Sequence, residues 1–224
     1  MNSEPIALLW SGGKDSALSL RALRADERTD VRVLLTTMTQ DYDRISIHGV
    51  RRELLEAQAA SVGVALQTVE VPARCTNEQY ESALGAALQN LREQGIARVA
   101  AGDLFLEDVR AYREALLARH GMEALFPLWN RDTTQLAREF IAGGFKAILS
   151  CVDTQALDAR FAGRDFDAEL LRDLPACVDP CGENGEFHSF VWDGPDFSRP
   201  VPCERGEVVL REERFTFCDL LPRA

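Results

Sequence analysis

The sequence predicts a doubly wound parallel α/β sheet followed by a small C-terminal α+β region. Short apolar runs typical of buried strands alternate with amphipathic stretches of helical length. A glycine pair joins the first apolar run to the first helical pattern, and the chain becomes rich in Gly, Pro and Asp near its end. We expect the α/β domain to span residues 1–128 and the C-terminal region to span residues 129–224. In such sheets ligands bind outside the carboxyl ends of the strands, so we expect both parts to share one cleft there.

The apolar runs predict strands over residues 6–10, 31–38, 64–71, 96–101, 123–126 and 145–152. Helical periodicity predicts helices over residues 15–23, 50–62, 76–92, 107–119 and 132–143. Gly63 is placed to end the second helix, Thr76 with Gln79 forms a capping-box pattern, and Asp132 is placed to cap the last helix.

The C-terminal region has a different texture. A weak helical pattern covers residues 166–174, and Asn184-Gly185 is typical of a hairpin turn. Two further strands are predicted over residues 187–192 and 207–217. This mixture predicts a small α+β region attached to the parallel sheet.

Charge and composition restrict the class of protein. The net charge is −11, which opposes binding to bare nucleic acid. Lysine occurs only at Lys14 and Lys146, and this preference for arginine favours a GC-rich bacterial genome. The N-terminus does not resemble a signal peptide, and no uncharged apolar run approaches the roughly 18 residues of a membrane span. We therefore expect a cytoplasmic protein.

Six cysteines are expected to stay reduced in that compartment. Cys177 and Cys181 are four residues apart and His188 follows, but a zinc site would need a fourth ligand from elsewhere.

The segment SGGKDS at residues 11–16 is typical of phosphate binding. A Walker A loop would need glycine where Leu8 stands and Ser or Thr where Asp15 stands, and a dinucleotide fingerprint would need separated glycines. The pattern S-G-G-x-D-S of pyrophosphatase loops matches at every fixed position. Glycines let backbone N–H groups approach phosphate oxygens, while the serines, the lysine and the helix N-terminus favour an anion. We expect an exposed turn that holds the β- and γ-phosphates of ATP while the α-phosphorus is attacked.

Four motifs together resemble the diphthine–ammonia ligase family of ATP pyrophosphatases. They are SGGKDS, Gly102-Asp103 after the fourth strand, PLW at residues 127–129 and CGENGEF at residues 181–187. The resemblance covers nearly the whole chain and implies a PP-loop domain of the HUP-like fold class. Characterised members use ATP and ammonium to convert the carboxylate of diphthine, a modified histidine of an elongation factor, into an amide. The resemblance implies ATP, Mg²⁺ and ammonia as ligands and AMP and pyrophosphate as products. The acceptor carboxylate, on a protein or elsewhere, and the oligomeric state stay open, with a homo-oligomer among the options.

The family resemblance also implies roles for individual residues. The candidates for ATP binding are Ser11, Gly12, Gly13, Lys14, Asp15, Ser16, Gly102 and Asp103. Lys14 and Asp15 are candidate catalytic residues. Asp15 is also the candidate Mg²⁺ ligand, with a dipole-stabilising helix aspartate as the alternative. For Asp103 the alternative is a helix cap.

Candidate acceptor contacts follow in the second half of the chain. Arg110, Arg113 and Trp129 are candidate substrate-binding residues, against the alternatives of a solvated, salt-bridged helix face and a packing tryptophan. Glu183 and Glu186 are candidate catalytic residues that bind ammonium or accept its proton, unless they are merely solvated in a glycine-rich, non-core loop. The same loop offers Cys181 and Gly182 for substrate binding, with a nucleophilic Cys181 as an alternative. Two histidines, His48 and His188, are candidate acceptor contacts or structural residues.

Two other functions remain as alternatives. One is an adenine nucleotide alpha hydrolase or a nucleotide-binding module without turnover, and the other is a tRNA-modifying PP-loop enzyme. Net negative charge argues against RNA binding. Release of pyrophosphate from ATP would distinguish an enzyme from a binding module.

Overall fold

The computed structural model describes residues 3–46 and 48–223, and it divides into two compact units. Unit 1 comprises residues 1–11, 15–46 and 64–129. Unit 2 comprises residues 12–14, 47–63 and 130–224. The chain leaves unit 1 for the last time between residues 129 and 130, one residue after the domain boundary predicted between residues 128 and 129. The functional division at that boundary stays a prediction.

Unit 1 contains a mixed, mostly parallel sheet. Its strands are β1 (Glu4–Leu9), β2 (Thr29–Thr39), β3 (Arg44–Ile45), β4 (Ala65–Val71), β5 (Arg98–Ala100) and β6 (Glu123–Leu125). β1 pairs in parallel with β2 on one side and β5 on the other, β4 continues beyond β2, and β6 continues beyond β5. The short β3 is antiparallel to β2. The chain thus winds in both directions from β1, which confirms the predicted fold class.

Helices cover the strands of unit 1. They are α1 (Lys14–Ala25), whose first residue is assigned to unit 2, α3 (Asn77–Glu93) and α4 (Glu107–Arg119). One apolar core joins α3 and α4 to the sheet through Leu88 and Leu117, which pack with Ala7, Val33 and Val99. Burial of these side chains fixes the sheet whose strand ends carry the candidate loop.

Local sequence signals locate the helix ends as predicted. Thr76 accepts a hydrogen bond from the Gln79 backbone, and the Gln79 side chain accepts one from the Thr76 backbone. Gly63 adopts the left-handed conformation at the end of α2 (Arg52–Val62). Asp132 caps α5 (Thr133–Ala142) by accepting a hydrogen bond from Gln135.

Unit 2 contains a separate antiparallel sheet. Its strands are β7 (Lys146–Asp153), β8 (Phe187–Asp193), β9 (Cys203–Arg211) and β10 (Phe215–Pro222), in the order β8-β7-β10-β9. The predicted strand over residues 145–152 therefore does not continue the parallel sheet. The single strand predicted over residues 207–217 is wrong as well, because a turn divides it between β9 and β10. A short 3-10 helix (Ala159–Phe161) and α6 (Ala168–Asp173) precede β8.

Aromatic packing forms the core of unit 2. Phe140 stacks on Phe145 at 4.9 Å between ring centroids, and Phe166 meets Phe140 edge-on at 5.3 Å. Phe187, the first residue of β8, packs against Phe166. This cluster anchors the start of β8, directly after the CGENGEF turn. Within the described part of the chain, no helix is long and apolar enough to cross a membrane.

Candidate functional site

In unit 1, the candidate loop follows the end of β1. The Trp10 backbone N–H donates to the Leu35 carbonyl at 2.8 Å, which extends the β1–β2 pairing by one residue. The Ser11 and Ser16 hydroxyls lie 3.4 Å apart. Two of the predicted phosphate donors are therefore neighbours where α1 begins.

Gly102 lies against the first turn of α1. A Cβ at Gly102 would stand 3.1 Å from the Asp15 backbone C and O atoms and 3.3 Å from its Cβ. Glycine at this position lets the chain after β5 approach the loop closely. The structure therefore brings together Asp15 and Gly102, which the sequence places 87 residues apart.

Asp103 forms an ion pair with Arg113. The Arg113 Nε and Asp103 Oδ2 atoms lie 2.7 Å apart, although the N–H is not aligned for a hydrogen bond. The Asp103 side chain is largely buried and Arg113 only partly so. This pair links two predicted site residues from the end of β5 and from α4.

Arg110 lies on two aromatic rings. Its guanidinium carbon is 4.7 Å from the Trp129 ring centroid and 5.1 Å from that of Phe126. Its Nε donates to Glu114 at 2.7 Å. Cation–π contacts and the ion pair restrict where the guanidinium can move. Arg110 and Trp129, both predicted acceptor contacts, are thus adjacent.

In unit 2, the middle of the loop is buried, so the expectation of an exposed turn is wrong. Lys14 is only 3% exposed, and Gly12 and Gly13 are buried too. The Lys14 backbone N–H donates to the Ser189 hydroxyl at 3.2 Å. Its Nζ lies 5.7 Å from the Phe187 ring centroid. Strand β8 therefore contacts Lys14 twice, through the Ser189 hydroxyl and through the Phe187 ring.

His48 and His188 stack on each other near Lys14. Their ring centroids are 4.4 Å apart and the rings are tilted by 41°. Burial, followed by the charge of Lys14, lowers the pKa of His188 to about 4. Burial, then His188 and Lys14, keeps the pKa of His48 well below its ordinary value. Both rings are therefore neutral at physiological pH and cannot serve as cationic contacts.

The CGENGEF segment is a compact turn organised by Asp179. The Asp179 carboxylate accepts hydrogen bonds from the backbone N–H groups of Cys181 and Glu183, each at 3.0 Å. Gly182 has φ +68°, and its N–H donates to the Asp179 carbonyl at 2.8 Å. Asn184-Gly185 forms part of this turn, but the described residues between α6 and β8 contain no strand that it could join to β8, so the predicted hairpin is wrong.

Glu186 is buried within this turn, contrary to the expectation of a non-core loop. It is 4% exposed, and its Oε1 accepts from the Asp179 N–H at 2.9 Å and from Asn184 Nδ2 at 3.0 Å. Its Oε2 is buried without a hydrogen-bond partner among the described residues. A buried carboxylate oxygen without a donor requires an explanation, and a cationic or proton-donating ligand would supply one.

Cys181 occupies a structural position. It is 1% exposed, and its thiol donates to the Thr133 carbonyl at 3.3 Å. Cys177 is exposed. Over residues 3–46 and 48–223, no group of three or more His, Cys, Asp or Glu side chains is placed to hold a metal ion. Burial disfavours the alternative of a nucleophilic Cys181.

The predicted site residues thus fall into groups within each unit. In unit 1 they are Ser11 with Ser16, Asp15 with Gly102, Asp103 with Arg113, and Arg110 with Trp129. In unit 2 they form two groups. The first is Gly12, Gly13 and Lys14, whose backbone β8 holds at Gly12 and Lys14. The second lies in the turn directly before β8 and consists of Cys181, Gly182, Glu183 and Glu186. Sequence reasoning missed Gln58, Asp179 and Ser189. Asp179 had a usable signal, because an aspartate two residues before a turn commonly accepts backbone hydrogen bonds.

Family models match both parts of the chain. The diphthamide synthase N-terminal domain matches residues 4–124, and the diphthamide synthase C-terminal domain matches residues 132–219. The chain belongs to the diphthamide synthase family.

Full-length relatives agree with this assignment. The mouse protein named diphthine–ammonia ligase is 28% identical over 92% of this chain and 85% of its own length. The human and zebrafish proteins of the same name are 25% and 26% identical over 92% of this chain, covering 85% and 88% of their own lengths. Both SGGKDS and CGENGEF lie inside the matched family domains.

Proposed function

We propose that the protein is an ATP-dependent ligase that adenylates a carboxylate, releases pyrophosphate and then forms an amide with ammonia. The observation that carries this proposal is the position of β8. Its first residue, Phe187, contacts Lys14 of the loop and directly follows Glu186, whose Oε2 is buried without a described partner. The loop lysine and the carboxylate therefore belong to one framework. The family assignment and the names of the relatives support the same chemistry.

The loop residues fit a bound ATP. Gly12 has φ +74°, which favours glycine, and Lys14 begins α1, where the helix dipole attracts anions. We assign the β- and γ-phosphates to backbone and side-chain donors of Ser11, Gly13 and Ser16. The lysine charge would stabilise negative charge that develops as pyrophosphate leaves.

A magnesium ion bound through phosphate oxygens needs only one or two protein carboxylates. Asp15, partly exposed in the first turn of α1, and Asp103, next to Gly102, have suitable chemistry for that role. The ion would neutralise phosphate charge when bound. Arg113 sets the position of Asp103 through their ion pair.

We assign the amide-forming step to Glu186, assisted by Glu183. Hydrogen bonds from Asp179 and Asn184 fix Oε1, so the second oxygen has a defined direction. That oxygen would bind ammonium or accept a proton as ammonia attacks the acyl-adenylate. Arg110 beside Trp129 is assigned to the acceptor, because a guanidinium held on an aromatic surface suits carboxylate recognition. In the relatives the acceptor implied by their name is diphthine, and we propose a carboxylate of that class here.

Product analysis with ATP tests the reaction class. The proposal requires AMP and pyrophosphate once an acceptor and ammonium are present, and ADP with phosphate would refute it. Lys14→Ala should weaken ATP binding and turnover. Lys146→Ala is the matched control, since Lys146 is the other lysine of the chain and lies exposed at the start of β7.

Glu186→Gln tests the second step. The amide retains an acceptor for Asp179 and Asn184 but loses the charge and the proton acceptor, so ATP affinity should persist. Amide formation should fall by about 10²–10⁴-fold, the usual contribution of general acid–base catalysis. Glu207→Gln, on the exposed face of β9, is the control. Equal amide formation by Glu186→Gln and wild type would reduce Glu186 to a structural residue, and loss of ATP binding would place it in the nucleotide site.

A further inference from the structure

We propose that Gln58 is a positioning residue that orients the Gly12–Gly13 peptide for phosphate binding. The inference rests on the proposed ATP site and adds a residue that is remote in sequence from the loop. Gln58 lies in α2 and is fully buried. Its side-chain amide donates a hydrogen bond to the loop backbone.

The Gln58 amide joins the loop to β8. Its Nε2 donates to the Gly12 carbonyl at 2.9 Å and to the Val191 carbonyl at 2.6 Å. The Val191 backbone N–H also donates to the Gly12 carbonyl at 2.9 Å. The Gly12 oxygen is therefore held by two donors, one from a side chain and one from a strand.

Holding this oxygen fixes the peptide that follows it. The Gly12–Gly13 peptide is planar and trans, since the described chain contains no cis peptide bond. In a trans peptide the N–H points opposite to the carbonyl. Donation by Gln58 to Gly12 therefore directs the Gly13 N–H away from α2 and β8. That N–H belongs to the set we assign to the phosphates.

The shape of the site supports the same role. A Cβ at Gly12 would stand 2.9 Å from Gln58 Oε1, so the amide also fills the space beside the glycine. Gly12 has positive φ, and a side chain there would be strained as well as crowded. Two residues further along, Ser189 accepts from the Lys14 N–H. Gln58 and β8 thus hold the loop on both sides of Gly13.

The test compares two variants of α2 that each remove the hydrogen bonds of one buried side chain to backbone groups. Gln58→Met keeps the length of the side chain but removes both donated bonds. Ser61→Ala, one turn further along α2, removes the bond that the Ser61 hydroxyl donates to the Arg199 carbonyl at 2.5 Å and the one that it accepts from the Arg199 N–H at 3.3 Å, and it leaves the loop untouched. Thermal unfolding establishes that both variants fold.

Two readouts are made on the full chain. Amide chemical shifts and hydrogen exchange of Gly12, Gly13 and Lys14 report loop orientation without ATP, and calorimetry with a non-hydrolysable ATP analogue reports affinity. We expect altered loop amides and affinity weakened about fivefold to tenfold in Gln58→Met, as for the loss of one ordinary hydrogen bond. Ser61→Ala should match the wild type in both.

Gln58→Glu adds a rescue by pH. A carboxylate cannot donate to Gly12, whereas the protonated acid can donate one hydrogen bond, and burial raises the pKa of such a carboxyl. The affinity of this variant for the analogue, relative to wild type, should therefore recover as the pH falls from about 8 to about 5. This range lies above the ordinary glutamate pKa of about 4.3, so recovery there requires the raised pKa of a buried carboxyl. A merely structural defect shared with Ser61→Ala would show no such recovery.

The outcomes separate this inference from the proposed function. If wild type binds no ATP analogue but Gln58→Met alone disturbs the loop amides, the proposed function falls and the positioning of the loop by Gln58 stands. Unchanged loop amides in Gln58→Met would overturn the inference. Where the wild type binds the analogue, equal effects of Gln58→Met and Ser61→Ala on analogue affinity would overturn it too.

Discussion

Gly102→Ala tests whether the close approach of the β5 end to α1 matters for the nucleotide. The added methyl would lie 3.1 Å from the Asp15 backbone, below the ordinary contact range that starts at 3.4 Å. Gly102 does not have positive φ, so alanine fits its backbone without strain. The opposing atoms are backbone, which cannot rotate away. The first turn of α1 must therefore move by a few tenths of an ångström.

The expected cost is modest in stability and larger in function. Overpacking typically costs about 1–3 kcal/mol, and the lower entropy of the unfolded alanine chain offsets about 0.4–1 kcal/mol of it. A net loss of about 1 kcal/mol lowers the melting temperature by about 2–4 °C for a chain of this size. If the shift also removes about 1 kcal/mol of phosphate hydrogen bonding, ATP affinity falls about fivefold.

Calorimetry with an ATP analogue and thermal unfolding measure both effects. Gly85→Ala is the matched control in unit 1, because its Cβ would meet the His120 ring, a side chain that can rotate, at 2.7 Å. This control should bind the analogue like wild type. If Gly102→Ala binds as tightly as Gly85→Ala, the close approach of Gly102 to Asp15 has no part in nucleotide binding.

Two further predictions concern unit 2. His188 has a pKa of about 4 in the folded protein against an ordinary value of 6.5, so only the unfolded chain binds its proton between those values. The associated stability is fully present above pH 6.5 and is lost as the pH falls through about 4. Urea unfolding at several pH values should show a weaker acid dependence in His188→Asn than in wild type, and identical profiles would contradict this. Cys181→Ala should lower the melting temperature, because it removes a buried thiol that donates to the Thr133 carbonyl. Turnover should be preserved. Loss of turnover in a folded Cys181→Ala variant would instead support a nucleophilic Cys181.

Sequence patterns predicted the parallel sheet well because its signals are local. In each strand–helix pair the spacing of apolar residues changes from that of a strand to that of a helix. The helix caps at Thr76, Asp132 and Gly63 can be recognised from neighbouring residues alone. The sequence does not show that residues 145–152 belong to an antiparallel sheet, because the pairing of this strand depends on distant residues and not on local signals. An apolar run of that length fits a parallel or an antiparallel core strand equally, and its partners β8 and β10 are distant in sequence.

The candidate site was predictable in its motifs but not in its environment. The loop and the CGENGEF segment are visible as residue types, whereas their burial depends on donors elsewhere. Glu186 is buried because Asp179 and Asn184 satisfy one of its oxygens, and a glycine-rich composition gives no sign of this. Gln58 looks like an ordinary polar helix residue until its contact with Gly12 is seen.

The order of segments in unit 2 limits how the gene can be cut. That unit is built from residues 12–14, 47–63 and 130–224, so the chain enters it three times. A fragment starting at residue 130 would lack Gln58 and Gly12, leaving the Val191 carbonyl without the Gln58 amide and the Val191 N–H without the Gly12 carbonyl. A fragment ending at residue 129 would contain the loop without Ser189 and Val191. Split-protein reporters and truncation libraries that cut between residues 129 and 130 would therefore yield two incomplete halves. A circular permutation in the exposed turn between β9 and β10 keeps all three segments on one polypeptide.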